Sequence, residues 1–255
     1  MKRIVIKVGS AVLTDNNNNI AKERMLNLVT LIARLRKKYY VILVTSGAVA
    51  AGYSALRLDK SKQISRKAIA AAGQPILMSS YKKKFDIFGI DTAQILLTED
   101  DFDSRKRTKM FQEIIDTHLD NDIVPIVNEN DISSTSEQLF GDNDQLSANV
   151  SHRTGAELLI ILSDIDGYYD KNPKEFPDAK ILKHISELPK GALEASSTAN
   201  SDFATGGIVT KLMAADYLMK RGKNMFLANG FDLSSVESFL LKSEHTLGTL
   251  FKPKK

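Results

Sequence analysis

Residues 3–9, RIVIKVG, and 40–47, YVILVTSG, are β-branched and aliphatic runs that each end in glycine, and between them Met25, Leu28, Val29, Ile32 and Leu35 recur at helical spacing. A strand, an amphipathic helix and a second strand make a βαβ unit, whose crossover leaves the strands parallel. The alternation continues along the chain. Apolar runs TAQILL (92–97), DIVPIVN (122–128), ELLIILS (157–163) and NMFLAN (224–229) follow, with helical stretches such as Ser65 to Phe88 and Arg107 to Leu119 between them. Strands that are apolar at nearly every position are buried on both faces, so the expected fold is α/β, a mostly parallel central sheet covered by helices on each side.

In open sheets of this kind ligands bind outside the carboxyl ends of the strands. Small or polar residues collect at those ends here: Gly9-Ser10, Thr45-Ser46-Gly47-Ala48, Asn128-Glu129-Asn130-Asp131 and Ser163-Asp164. A βα turn or a helix cap accounts for each of them singly, but four in one chain point to a shared crevice. The stretch from Ser163 to Thr205, with Pro173, Pro177 and Pro189 and little helical period, reads as a lid or ligand loop. DNNNN at 15–19 reads as a polar turn. No internal repeat or interdomain linker stands out, and a single domain over residues 1–255 is expected.

Composition removes several chemistries. With no cysteine among 255 residues, thiol nucleophiles, Cys-ligated zinc and disulfides are excluded. No run approaches the ~20 apolar residues of a membrane span, and the amino-terminal apolar run is too short for a signal peptide, so a cytoplasmic protein is expected. The net charge of +4 comes from clusters at 34–38, 82–84 and 252–255 without interleaved aromatics, which reads as solvated surface rather than nucleic-acid binding. His118, His152, His184 and His245 lack metal-site spacing. GxSxG, GxxxxGK[ST] and a GxGxxG after the first strand are all missing.

Three features remain. In SDFATGGIVTK (201–211), Thr205-Gly206-Gly207 precedes a helix with Leu212, Ala215 and Met219 on its apolar face. Glycines at a helix entrance let backbone N–H groups approach an anion, with Lys211 beside it; a flexible loop with a surface lysine is the other reading. Lys7 stands inside the apolar strand RIVIKVG, and a buried lysine requires an anionic partner or a shifted pKa. In FGDNDQLSANV (140–150), Asp142, Asn143 and Asp144 stand where a helix begins, although a cap requires only one such residue.

IKVGS, VTSGAVAAG, VNENDISS, FGDNDQLSANV, LSDIDGYYDKNP and ATGGIVTK, in this order, resemble the amino acid kinase family over nearly the whole chain. NEND, GDND-x-LSA and TGGIVTK together with VTSGAVAAG resemble its glutamate-phosphorylating members most. Relatives acting on aspartate, acetylglutamate, carbamate or UMP, and a catalytically silent ATP-binding regulator, are the alternatives. The resemblance implies the three-layer αβα, carbamate kinase-like fold, with a substrate-binding amino-terminal part and a nucleotide-binding part from about residue 157. It also implies ATP-dependent phosphorylation of the γ-carboxylate of L-glutamate, with Mg²⁺.

By the same resemblance Lys7 and Lys211 flank the transferred phosphoryl group and Asp144 aligns them. Ser46, Asp131 and Asn143 bind the amino acid, joined by Gly47, Ala48, Asn128 and Asp142, with Asp142 near Mg²⁺ through water. The nucleotide meets Gly9, Ser10, Ser163, Asp164 and 205–211 (Thr205, Gly206, Gly207, Ile208, Val209, Thr210, Lys211). Tyr168 or Tyr169 packs either near the adenine or simply in the protein, and Asp170 carries the same ambiguity. A homo-oligomer, dimer or tetramer, and inhibition by L-proline are implied as well. The carboxyl-terminal PUA domain of many members is expected to be absent.

Overall fold

The computed structural model describes residues 1–15, 19–134, 143–193 and 207–254. In chain order the first half contains β1 (Lys2–Val8), the single turn α1 (Ser10–Leu13), α2 (Lys22–Leu35), β2 (Tyr39–Thr45), α3 (Ala48–Tyr53), α4 (Gln63–Phe85) with a 3-10 turn (Asp86–Phe88), β3 (Thr92–Leu97), α5 (Asp100–Asp103), α6 (Arg105–Asp120) and β4 (Val124–Glu129). The second half contains α7 (Asn143–Arg153), β5 (Leu158–Ser163), β6 (His184–Ile185), α8 (Ile208–Met219), β7 (Asn224–Asn229), α9 (Ser234–Glu237) with a π-helical turn (Ser238–Lys242), and β8 (Thr249–Phe251).

The strands form one sheet in the order β3-β4-β2-β1-β5-β7-β8-β6, parallel except where β7 meets β8. All six expected strands are present. The two short additions, β6 and β8, lie at one edge and are too brief to carry a periodic signal. From β1 the chain adds β2, then the edge strand β3, then β4 between them on one side, and returns to β5 and β7 on the other. That reversal leaves β1 between the two halves, where an open α/β sheet offers a ligand crevice.

Successive side chains of β1 point to opposite faces. Ile4, Ile6 and Val8 enter the apolar layer shared with α2 and α4, while Val5 enters the layer shared with α6, α7 and α8. Met25, Leu28, Val29, Ile32 and Leu35 of α2 are all buried, as their spacing predicts. The period of two then puts Lys7 on the Val5 side, facing α7 and α8.

Two contacts fix the other side of the crevice. Gly47, at φ +103°, takes the left-handed conformation that turns the chain from β2 into α3. α3 and α4 then cross with backbone against backbone: a Cβ at Gly52 would lie 1.9 Å from the Ile69 carbonyl oxygen, and one at Gly73 would lie 1.8 Å from that of Ala48. α4 runs on through Pro75, which supplies no N–H to the helix. Of the expected long loop, the described part up to residue 193 carries β6 and a bridge between Tyr169 and Ile181.

Candidate active site

Lys7, Asp144 and Lys211 come from β1, the first turn of α7 and the first turn of α8, and they converge. Lys7 Nζ lies 2.7 Å from Asp144 Oδ1, and Lys211 Nζ lies 3.2 Å from Oδ2. Relative exposures of 1%, 0% and 5% put all three out of water, where such charges persist only when paired. The Thr210 hydroxyl donates to Asp144 Oδ2 at 2.9 Å and also lies 2.9 Å from the Gly207 carbonyl oxygen. Both carboxylate oxygens are thus engaged, and the two ammonium groups are held on opposite sides of one anion. Lys211 is not a surface lysine on a flexible loop.

α8 begins at Gly207, whose extended backbone (φ −86°, ψ −169°) brings no side-chain cap to the helix. The backbone N–H groups of Ile208, Val209 and Thr210 therefore open the helix beside Lys211, the arrangement that suits an anion. Gly9 and Ser10 border the same place from β1, with the Gly9 N–H donating to the Leu162 carbonyl at 3.2 Å. Asp142, Thr205 and Gly206 lie outside the described residues.

A second polar group lies at the ends of β2 and β4. Asn143 Nδ2 is directed at the Thr45 carbonyl, at Ser46 Oγ (3.1 Å) and at Asn128 Oδ1 (2.8 Å). Its donors are committed to the protein, so what Asn143 offers a ligand is its acceptor, Oδ1. Asn128 Oδ1 also accepts from the Glu129 backbone N–H at 2.9 Å, and Asn128 Nδ2 donates to Gln74 Oε1 at 2.8 Å. Asn128 thus holds Asn143 and Gln74 in place. Ser46, Gly47 and Ala48 follow β2 at the same crevice.

Asp131 is half-buried in the turn after β4. Burial pushes its carboxyl up to about 6, with Arg66 and Lys67 of α4 opposing the rise. Lys67 Nζ also donates to the Ser134 carbonyl, tying α4 to that turn.

On the opposite flank Ser163 Oγ donates to Asp164 Oδ1 at 3.0 Å, and Asp164 is exposed. Tyr168 is packed in the protein: its ring centroid lies 6.4 Å from that of Phe251 and its N–H donates to Thr249 Oγ1 at 2.8 Å. Tyr169 donates to Asp166 at 3.2 Å, and Asp170 accepts from the Lys180 N–H at 2.9 Å within its own loop.

Sequence reasoning missed the contribution of α4, namely Gln74, Lys67 and Arg66. A signal was there for Gln74, which stands in the buried stripe Ala70, Gln74, Leu77, Tyr81, a polar residue in an apolar row like Lys7 in β1.

Comparison with known proteins adds three findings. The amino acid kinase family matches residues 2–229. A glutamate 5-kinase of Wolinella succinogenes is 56% identical over 98% of each chain, one of Helicobacter hepaticus is 48% identical over 98% of this chain and 95% of its own, and one of Geobacter sulfurreducens is 42% identical, with 69% of its length covered. Among solved structures, isopentenyl phosphate kinase of T. acidophilum (TM-score 0.65, 15% identity, 98% of this chain and 99% of that one) and UMP kinase of Ureaplasma parvum (TM-score 0.65, 17% identity, 98% of each) share the fold.

Proposed function

The chain belongs to the amino acid kinase family and, within it, to the glutamate 5-kinases, and on that footing we propose that it transfers the γ-phosphoryl group of ATP to the γ-carboxylate of L-glutamate, the opening reaction of proline biosynthesis. The observation that supports this most is the pair of buried ammonium groups, Lys7 and Lys211, aligned on Asp144. Phosphoryl transfer is largely a matter of positioning and of charge stabilisation on the equatorial and leaving oxygens. Two lysines approaching from β1 and α8 supply that, and the opening N–H groups of α8 add partial positive charge.

The acceptor needs no general base, because a γ-carboxylate with a pKa of about 4.3 is already ionised at neutral pH. Asp131 and Asn143 Oδ1 suit the α-ammonium, and the Ser46 hydroxyl with the N–H groups of Gly47 and Ala48 suits carboxylate oxygens. Asn128 keeps Asn143 oriented. Ser163 and Asp164 border the nucleotide. In this reading the part before about residue 157 holds the amino acid and the part after it holds ATP, within one domain.

Mg²⁺ fits as a companion of the ATP phosphates. With both oxygens of Asp144 on ammonium groups, the triad has the wrong charge to hold a divalent cation by itself. A cytoplasmic homo-oligomer inhibited by L-proline completes the proposal, and raised glutamate half-saturation in millimolar proline tests the inhibition.

The test of the activity is incubation with ATP, Mg²⁺ and each of glutamate, aspartate, acetylglutamate and carbamate, with hydroxylamine trapping the acyl phosphate. Hydroxamate from glutamate alone is expected; hydroxamate from another acid in its place overturns the reading.

A further inference from the structure

Gln74 of α4 is nine-tenths buried, at 9% exposure, and its Nε2 is out of contact with solvent with no hydrogen-bond partner among the described residues. Held that way, an amide donor is destabilising, because it has given up water without gaining an acceptor. The orphan cannot be removed by turning an amide over, because backbone groups fix the polarity of the whole chain of contacts. The Glu129 N–H is a donor, so the Asn128 atom it meets at 2.9 Å is Oδ1 and the other is Nδ2. Asn128 Nδ2 then demands an acceptor at 2.8 Å, which makes that atom of Gln74 Oε1 and leaves Nε2 as the atom without a partner. From the other end the Thr45 carbonyl is an acceptor, so the Asn143 atom that meets it is Nδ2, and Asn128 must again present Oδ1 to it. Both ends of the row impose the same direction.

The row Thr45–Asn143–Asn128–Gln74, whose two asparagines are proposed to bind and orient the amino acid, therefore ends in an amide donor with no acceptor among the described residues. We infer that Gln74 is a substrate-binding residue whose Nε2 donates to a carboxylate oxygen of the amino-acid substrate. This rests on the proposed acceptor being a free amino acid. Lys67, seven residues earlier and so on the same face of α4, reaches the turn that carries Asp131. α4 thus borders the amino-acid pocket along two helical turns, from the ammonium end at Asp131 to the donor at Gln74.

Gln74→Glu tests the one atom at issue, because it retains an oxygen for Asn128 and replaces the donor with a second acceptor. Gln74→Met removes the donor without adding charge, and with it the acceptor of Asn128 Nδ2, which Gln74→Glu retains. A hydrogen bond to an ionised group predicts a rise in glutamate KM of about tenfold to a hundredfold for Gln74→Met and more for Gln74→Glu, with kcat and the KM for ATP within about threefold of wild type. The Gln74→Glu deficit, taken as a ratio to wild type, should shrink as the pH is lowered, because the protonated carboxyl donates again; a merely structural defect would not recover.

Unchanged glutamate KM in both variants, or ATP KM rising in step with it, overturns the assignment. Independently of any variant, nitrogen-labelled wild type should show one glutamine side-chain amide moving on glutamate addition, and no such response would overturn it too. A wild-type enzyme that makes no hydroxamate from glutamate defeats the proposed activity instead, so the two failures are distinct.

Discussion

Asp144→Asn preserves the shape of the side chain and removes its charge, leaving Lys7 and Lys211 on opposite sides of a neutral amide. Removing one partner of a buried ion pair costs about 3–5 kcal/mol. At about 2 °C per kcal/mol for a chain of this size, the melting temperature should fall by about 6–10 °C. Part of that loss is repulsion between the ammonium groups. Contacts of 2.7 and 3.2 Å to the two oxygens of one carboxylate separate the nitrogens by about 7 Å, worth about 2 kcal/mol at an effective dielectric near 20. Adding Lys211→Met to Asp144→Asn should therefore recover about 2 kcal/mol, so the double variant melts about 4 °C above the single one. Calorimetric melting of wild type, both single variants and the double closes the cycle. If Lys211→Met lowers the melting temperature further on the Asp144→Asn background, the charge-balance account of the triad is wrong.

Lys211→Ala should depress kcat about a hundredfold or more with glutamate KM within a few-fold, and unchanged turnover would remove its role in transfer. Burial raises the Asp131 carboxyl to about 6, above the ~3.9 of an unfolded aspartate, so the folded protein binds the extra proton between those values. Relative to Asp131→Asn its stability is highest at and below about pH 4 and declines as pH rises to about 6. Pairing with an ammonium needs the ionised form, so kcat/KM for glutamate should drop below about pH 6, an inflection that Asp131→Asn abolishes; a profile without it contradicts the ammonium role. Gly73→Ala sets a Cβ 1.8 Å from the Ala48 carbonyl oxygen, a clash no rotamer relieves, and should cost about 3 kcal/mol in a urea titration; a variant as stable as wild type would show that the crossing yields.

The sheet was legible because its central strands are buried on both faces, which leaves long aliphatic runs, and β6 and β8 escaped because two or three residues have no period to detect. Lys7 was conspicuous as a charge in an aliphatic strand. Asp144 was not: beside Asp142 and Asn143 it reads as one of several caps, and its role came from the resemblance. Spacing alone left Lys211 between surface and site, since only the packing of α8 on α7 decides its burial. The Gln74 side chain occupies a core position of α4, but a neutral amide among alanines, with Pro75 next to it, looks like a helix irregularity. Its meaning depends on Asn128, brought beside it from β4 by the fold.

The crossing of α3 and α4 through Gly52 and Gly73 bears on how this pocket can change. The crossing has no side chain at its closest points, so substitution there can only add bulk. Ser46, Gly47 and Ala48 lead into one helix and Gln74 follows Gly73 on the other, so the proposed hydroxyl and amide flanks of the pocket are joined at a crossing that mutation can wedge open but never draw closer. A shorter acceptor cannot be accommodated by tightening that joint. Room or reach for a different acid has to come from elsewhere, such as the turn carrying Asp131, which α4 meets through the Lys67 side chain.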